Sequence, residues 1–189
     1  MINIISGNAL DKLKEIPEQS IHTCITSPPY FNLRNYGHKD QLGLESSSEK
    51  FIQNLVNVFS QVKRVLRDDG TLWLNMGDTW DKNKQLLGIP WRTALALQQD
   101  GWVLRSDIIW NKPNVMPSSV QDRVTNCHEY IFLLSKNKKY YYDNESIKED
   151  STFKNSKGEF RPNGMAGIGK KNAGKEGFEI RSGLSNMKE

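Results

Sequence analysis

The stretch Ile21-His22-Thr23-Cys24-Ile25-Thr26-Ser27-Pro28-Pro29-Tyr30 changes character halfway along. Its first part is apolar and β-branched between turn-forming residues. That predicts a short strand over 21–26, with both prolines just past its carboxyl end. In an open α/β sheet this is the edge where ligands bind. Pro28 and Pro29 have no N–H and a φ held at about −65°, and Ser27, which precedes a proline, is kept extended. The expected product is a stiff turn whose carbonyls have no ladder partners and whose exit presents Tyr30 to the crevice. A rigid rim of acceptors followed by an aromatic face suits a flat heterocycle bearing an exocyclic amino group. Taken alone, the same run also reads as a proline turn with a packed tyrosine.

Working outward, Ile2 to Ser6 reads as a buried parallel strand. Gly7-Asn8 is its turn, and Leu10, Leu13 and Ile16 have helical spacing up to Pro17. Strand, turn, helix and strand together open a parallel α/β sheet. Downstream, Ser46 to Glu49 offers a helix start. Phe51, Ile52, Leu55, Val58, Phe59, Val62, Val65 and Leu66 trace an amphipathic stripe, which Asp68-Asp69-Gly70 is expected to end. Thr71 to Met76 reads as a strand running into Gly77-Asp78, where Asp78 either faces the crevice or caps the next turn. Ile89-Pro90-Trp91-Arg92 begins another helix, and Val103 to Trp110 is a further strand. Glu129 to Ser135 is expected to pair with Tyr140-Tyr141-Tyr142 as a hairpin. Two long loops, Phe31 to Ser48 and Lys112 to His128, lie where loops carry function.

Composition narrows the class. In 189 residues, 26 Lys and Arg stand against 22 Asp and Glu, a net charge of +4. The length suits one domain with a real core. The mild basic excess permits a nucleic-acid partner. Basic residues cluster in a glycine-rich tail from Lys154 to Lys188, which reads either as a disordered solvated tail or as a phosphate-binding one. The two cysteines, Cys24 and Cys127, indicate neither a disulfide framework nor a metal site. With no secretory leader after Met1 and no membrane-length apolar run, the expected setting is cytoplasmic.

Thr26-Ser27-Pro28-Pro29-Tyr30 resembles the catalytic motif of the DNA amino-methyltransferases, which methylate cytosine at N4 or adenine at N6. Gly7-Asn8-Ala9-Leu10, Asn32-Leu33-Arg34-Asn35-Tyr36-Gly37, Gln41-Leu42-Gly43-Leu44-Glu45, Trp110-Asn111-Lys112-Pro113-Asn114 and Met116-Pro117-Ser118-Ser119 are similar to that family in order and spacing. The likeness covers roughly residues 2 to 145. It implies a Rossmann-like methyltransferase sheet, here partial, with parallel strands and a terminal antiparallel hairpin. It also implies S-adenosylmethionine as cofactor, with Asn8, Ala9, Thr26, Ser27 and Pro28 as its candidate contacts. Related sequences usually carry Asp where Asn8 stands; its amide oxygen still accepts a hydrogen bond but brings no charge. Asn8 equally reads as a helix cap.

The same likeness assigns catalysis to Ser27, Pro28, Pro29 and Tyr30. An exocyclic amino nitrogen is a poor nucleophile because its lone pair is delocalised into the ring. Acceptance of its hydrogens by the Ser27 hydroxyl and the Pro28 carbonyl would localise that pair, with Tyr30 stacked on the base. The target nucleotide must leave the duplex to be reached. Neither a metal nor a covalent intermediate is needed. Arg34, Asn111, Lys112, Ser118 and Arg123 are candidate contacts to double-stranded DNA, with surface solvation the competing reading of each. Serine at position 27 is more similar to the cytosine-N4 enzymes, adenine-N6 enzymes being the alternative.

The family also carries a glycine-rich cofactor loop of the Phe-x-Gly-x-Gly type, and nothing after Tyr142 matches it. Gly164-Met165-Ala166-Gly167-Ile168-Gly169 follows no predicted strand. Residues 1–145 therefore read as a catalytic methyltransferase domain lacking that loop, and 146–189 as the start of a target-recognition region or the basic tail. A second polypeptide supplying the cofactor half and a restriction endonuclease are the partners this arrangement leaves open. The rival reading is an inactive half-enzyme that serves as a DNA-binding module. A nucleotide-binding oxidoreductase fails, since no dinucleotide fingerprint follows the first strand.

Overall fold

The computed structural model describes residues 2–148. The chain divides into two units, Met1–Tyr142 and Asp143–Glu189. The run 164–169, the basic residues from Lys154 onward and nearly all of the expected segment 146–189 lie outside the described residues. Among the described residues the elements are α1 (Ala9–Glu15), β1 (Ile21–Thr26), α2 (Ser48–Val65), β2 (Leu66–Met76), α3 (Ile89–Gln99), β3 (Val103–Asn111) and β4 (His128–Ser135), all in the first unit. None of these helices is long and apolar enough to cross a membrane.

Helix α2 shows how local chemistry sets the frame. The Ser47 hydroxyl accepts the Lys50 N–H at 3.2 Å, capping the helix, and Glu49 near its start and Lys63 and Arg64 near its end suit the helix dipole. The stripe read from the sequence is buried at Phe51, Ile52, Leu55, Phe59, Val62 and Val65. It meets Leu72, Leu74 and Met76 of β2, Phe132 and Leu134 of β4, and Ile89, Ala94 and Leu97 of α3 in one core. α2 packs against both α1 and α3. The sheet order is β1-β2-β4-β3. β1 and β2 are parallel, and β4 runs antiparallel to both β2 and β3. The start of β4 therefore lies beside the ends of β2 and β3, with Met76 opposite Tyr130 and Asn111 opposite His128. One sheet edge thus collects the exits of β1, β2 and β3 and the entry of β4.

Three sequence expectations are corrected. Ile2 to Ser6 is not a strand: Ile2, Ile4 and Ile5 are exposed, Ile4 by 92%. A buried parallel strand needs a neighbour on its ladder, and an apolar run declares a need for burial without supplying what buries it. Asp68-Asp69-Gly70 does not end the helix. α2 stops at Val65, and the trio bulges within β2, where the register jumps from Ile21↔Leu66 to Thr23↔Thr71. A Cβ at Gly70 would sit 2.9 Å from the Arg67 carbonyl oxygen, so the bulge requires glycine there. Finally, Tyr140–Tyr142 form no strand. The hairpin partner of β4 is β3, across the long loop 112–127. The run Lys136-Asn137-Lys138-Lys139 is short and polar enough to link a hairpin, but both sides of β4 are taken by β2 and β3.

This core makes a stability prediction. Leu74→Ala, at a position with no solvent exposure, should cost about 2–5 kcal/mol in urea unfolding. Ile25→Ala on β1, 77% exposed, should stay within about 0.5 kcal/mol. Equal costs at the two positions would mean that the layer between α2 and the sheet is not the core.

Candidate active site

The Ser27–Tyr30 turn leaves β1 at the gathered edge and is anchored by the residue that follows it. Phe31 is buried and packs on Phe51 of α2, ring centroids 5.5 Å apart. With its backbone pinned there, Tyr30 lies against Gly77, where β2 ends. A Cβ at Gly77 would come within 2.7 Å of Tyr30 Cε2, so only glycine lets the ring settle. The phenol reaches across the sheet edge. Tyr30 Oη donates to Glu129 Oε2 at 2.7 Å, and Asn75 Nδ2 donates to Tyr30 Oη at 3.2 Å and to Glu129 Oε2 at 2.9 Å. Ser27 Oγ donates to Tyr30 Oη at 3.3 Å. Lys112, just past β3, forms an ion pair with Glu129 Oε1. Four elements thus meet on one carboxylate.

The electrostatics follow from this arrangement. Burial alone would raise the pKa of Glu129, whose side chain is only 16% exposed. Donation by Lys112, Tyr30 and Asn75 outweighs that, and the carboxyl is held below its ordinary value. Tyr30 moves the other way, pushed up to about 12 by burial and by the neighbouring Glu129 charge, so it stays a neutral phenol. Asn75 Oδ1 is buried without a partner among the described residues. Leaving such an atom unmet costs about 1–3 kcal/mol. The reverse amide orientation would set that oxygen against a carboxylate and a phenol oxygen, so the network dictates the observed one.

A cavity of about 710 Å³ adjoins the same turn. It brings together Asn8, Ala9 and Pro29 with Leu42, Asn54 and Val58. Asn8 Oδ1 accepts the Leu10 N–H at 2.9 Å, so the capping reading holds, and the amide nitrogen is left over for another partner. Loop 31–47 is fastened beside the cavity by Glu45, which accepts from Gly43 N–H at 2.8 Å and from Asn54 Nδ2 at 3.0 Å. Thr26 ends β1, paired with Leu74. The carbonyls of Ser27 and Pro28 accept no hydrogen bond among the described residues.

The DNA candidates are scattered. Lys112 is engaged by Glu129 and so belongs first to the carboxylate network. Arg123 stacks over Trp80, 3.7 Å from guanidinium carbon to ring centroid. Asn111 closes β3 and is exposed, Ser118 Oγ accepts the Val120 N–H at 3.3 Å, and the Arg34 carbonyl accepts from Gln41 Nε2 at 2.9 Å. Asp78 caps rather than faces the crevice, accepting from the N–H groups of Thr79, Gly88 and Ile89 at 2.9–3.0 Å. Sequence reasoning missed Glu129 and Asn75. The signal available for Glu129 was an acidic residue at the mouth of an otherwise apolar strand; Asn75 offered only a polar break in the alternation of β2.

These features define a class. Residues 21–178 match the N6/N4 methyltransferase family, described as DNA methylase, and the chain belongs to it. It is similar to the type II methyltransferase M.Cfr9I of Citrobacter freundii, 47% identical over 175 residues that cover 78% of this chain and 58% of that relative. M.SmaI of Serratia marcescens is 49% identical over 177 residues, covering 79% and 61%. The chain therefore spans about three-fifths of the length of these curated relatives. Among solved structures, PvuII DNA methyltransferase (cytosine-N4-specific) shares the fold at TM-score 0.63 and 20% identity, covering 75% of this chain and 51% of that one. A putative DNA modification methylase of Thermus thermophilus, complexed with S-adenosyl-L-methionine, matches at TM-score 0.57 and 26% identity, covering 74% and 57%.

The Glu129 network carries a pH signature. Because the folded pKa is depressed, its contribution is fully present above the ordinary carboxyl value of 4.5 and is lost as pH falls through the lowered folded value. Glu129→Gln should therefore destabilise the chain at neutral pH, with the gap to the unaltered chain closing below pH 4.5 in urea titrations at stepped pH. A gap independent of pH would remove the ionised carboxylate from the account.

Proposed function

We propose that this chain is the catalytic portion of a DNA methyltransferase that moves a methyl group from S-adenosylmethionine to N4 of a flipped-out cytosine, with adenine N6 as the alternative target. The observation that carries this is the juxtaposition of an acceptor rim, Ser27 Oγ and the Pro28 carbonyl, with a roomy cavity reached from the same turn. The cavity suits the adenosine end of the cofactor. Leu42, Val58 and Pro29 offer apolar faces to a flat ring, and Asn8 and Ala9 line the same cavity. Bound there, the cofactor supplies an electrophilic methyl group. Ser27 and Pro28 accept the amino hydrogens and return the nitrogen lone pair from the ring, and Tyr30 offers its ring face to the base. Serine rather than a carboxylate or amide at position 27 favours cytosine. The type II names of the relatives fit a restriction endonuclease partner.

A second reading, a half-enzyme that needs a further polypeptide for its cofactor site, is favoured by one feature. Ile2, Ile4 and Ile5 and, on the edge strand β1, Ile25 are all exposed. Such surface asks to be covered.

Calorimetric titration with S-adenosylmethionine, followed by a transfer assay on mixed-sequence DNA with mass analysis of the modified base, tests both readings. Micromolar binding with N4-methylcytosine formed supports the first. No binding and no transfer, restored by a polypeptide carrying a glycine-rich cofactor loop, supports the second. In whichever assembly is active, Ser27→Ala and Tyr30→Ala should each lower kcat by on the order of 10²-fold or more while circular dichroism stays unchanged. Full activity in either variant would refute the assigned roles.

A further inference from the structure

The hydrogen bonds around Tyr30 have a direction, and that direction ends at Ser27. Glu129 is paired with Lys112 and accepts from Asn75, so it is an ionised carboxylate that can only accept. A phenol has one hydrogen, and Tyr30 gives it to Glu129. The remaining capacity of Tyr30 Oη is as an acceptor, turned toward Asn75 Nδ2 at 3.2 Å, the Ser27 hydroxyl hydrogen at 3.3 Å and the Gly77 N–H. With its own hydrogen turned inward, Ser27 Oγ offers its lone pairs to the crevice.

We propose that Glu129 is a positioning residue which, through Tyr30, turns the Ser27 hydroxyl hydrogen inward and makes Ser27 an acceptor toward the crevice, so that this site favours a base that presents an exocyclic amino group over the matching base that carries a ring carbonyl there. The inference rests on the amino-methyltransferase reading for its substrate class, but its content is a hydrogen-bond polarity set by the residues themselves. Cytosine presents an amino group where uracil presents an oxygen, and adenine where hypoxanthine does. Two oxygens facing each other without a hydrogen leave both unsatisfied. The half-buried Asn75 fits the same scheme: its amide is turned so that both acceptors are served although its own buried oxygen is left without a partner among the described residues. A device that merely packed the tyrosine would not need an ionised carboxylate, a lysine counter-charge and an amide in that orientation.

Glu129→Gln keeps the shape and removes the polarity. The glutamine amide can donate to Tyr30 Oη, Tyr30 then turns its hydrogen to Ser27, and Ser27 points its own outward. The test is equilibrium binding by nuclear magnetic resonance of the full 189-residue chain to 2′-deoxycytidine against 2′-deoxyuridine, and to 2′-deoxyadenosine against 2′-deoxyinosine. The unaltered chain should favour the amino partner in at least one pair by about 10-fold, the scale of one well-made base contact. Glu129→Gln should lower that ratio several-fold, the Pro28 carbonyl remaining as an acceptor. Tyr30→Phe, which deletes the relaying hydroxyl without touching Glu129, should lower it to the same extent, and adding Glu129→Gln to Tyr30→Phe should change nothing further. If Glu129→Gln does not fold, Tyr30→Phe alone decides the matter. Equal affinities in the unaltered chain, or a ratio that survives these variants, would overturn the inference. A ratio that responds as described in a chain with no transfer activity, alone or with a polypeptide carrying a glycine-rich cofactor loop, would count against the methyltransferase reading while upholding the polarity. Transfer activity with an unresponsive ratio would do the reverse.

Discussion

The carboxylate of Glu129 is the constraint on which the site depends. It is largely buried, and burial of an unpaired charge is costly enough that the surroundings must answer it. The answer comes from Tyr30 after β1, Asn75 near the end of β2 and Lys112 after β3. Each partner sits at the end of a different strand, so the charge acts as a clasp across the sheet edge. The clasp is available only because β4 runs against its neighbours and presents its first residues where theirs end.

Behind the clasp, rigidity is supplied by apolar packing. Phe31 against Phe51 ties the proline turn to α2, and Leu72, Leu74, Met76, Phe132 and Leu134 hold β2 and β4 under that helix. The glycine at 77 removes the one side chain that would hold Tyr30 away from β2. Loop 31–47 is fastened by Glu45 and lines the neighbouring cavity. Stiff core, clasped edge and bordered cavity are arranged around five residues, 26–30, and each constrains them from a different side.

The periphery is built differently. The sheet ends on one side at β1, with Ile25 open to solvent, and on the other at β3, where Ile108, Ile109 and Trp110 are exposed. Such edges present backbone groups that no ladder partner among the described residues meets. The exposed isoleucines lie in the amino-terminal segment and on the two edge strands, β1 and β3.

Much of this was readable in advance. The β1 strand, the stripe of α2 and the start of α3 follow from periodicity and capping, which are local and leave their mark in consecutive residues. The Ser27–Tyr30 turn was legible for the same reason, since two prolines restrict their own backbone wherever they occur. Asn8 as a cap was likewise a local matter. What failed was pairing. Ile2–Ser6 had the composition of a buried strand but no ladder, Tyr140–Tyr142 had the composition of a hairpin arm whose place β3 already held, and Asp68-Asp69-Gly70 made a bulge rather than a stop. Composition states what a segment can do, whereas a ladder needs a neighbour chosen by the whole fold. Glu129 belongs to that second kind. Nothing within a few residues of it foretells that its partners lie 17, 54 and 99 positions away, and only the antiparallel course of β4 brings its carboxylate to Lys112, Asn75 and Tyr30.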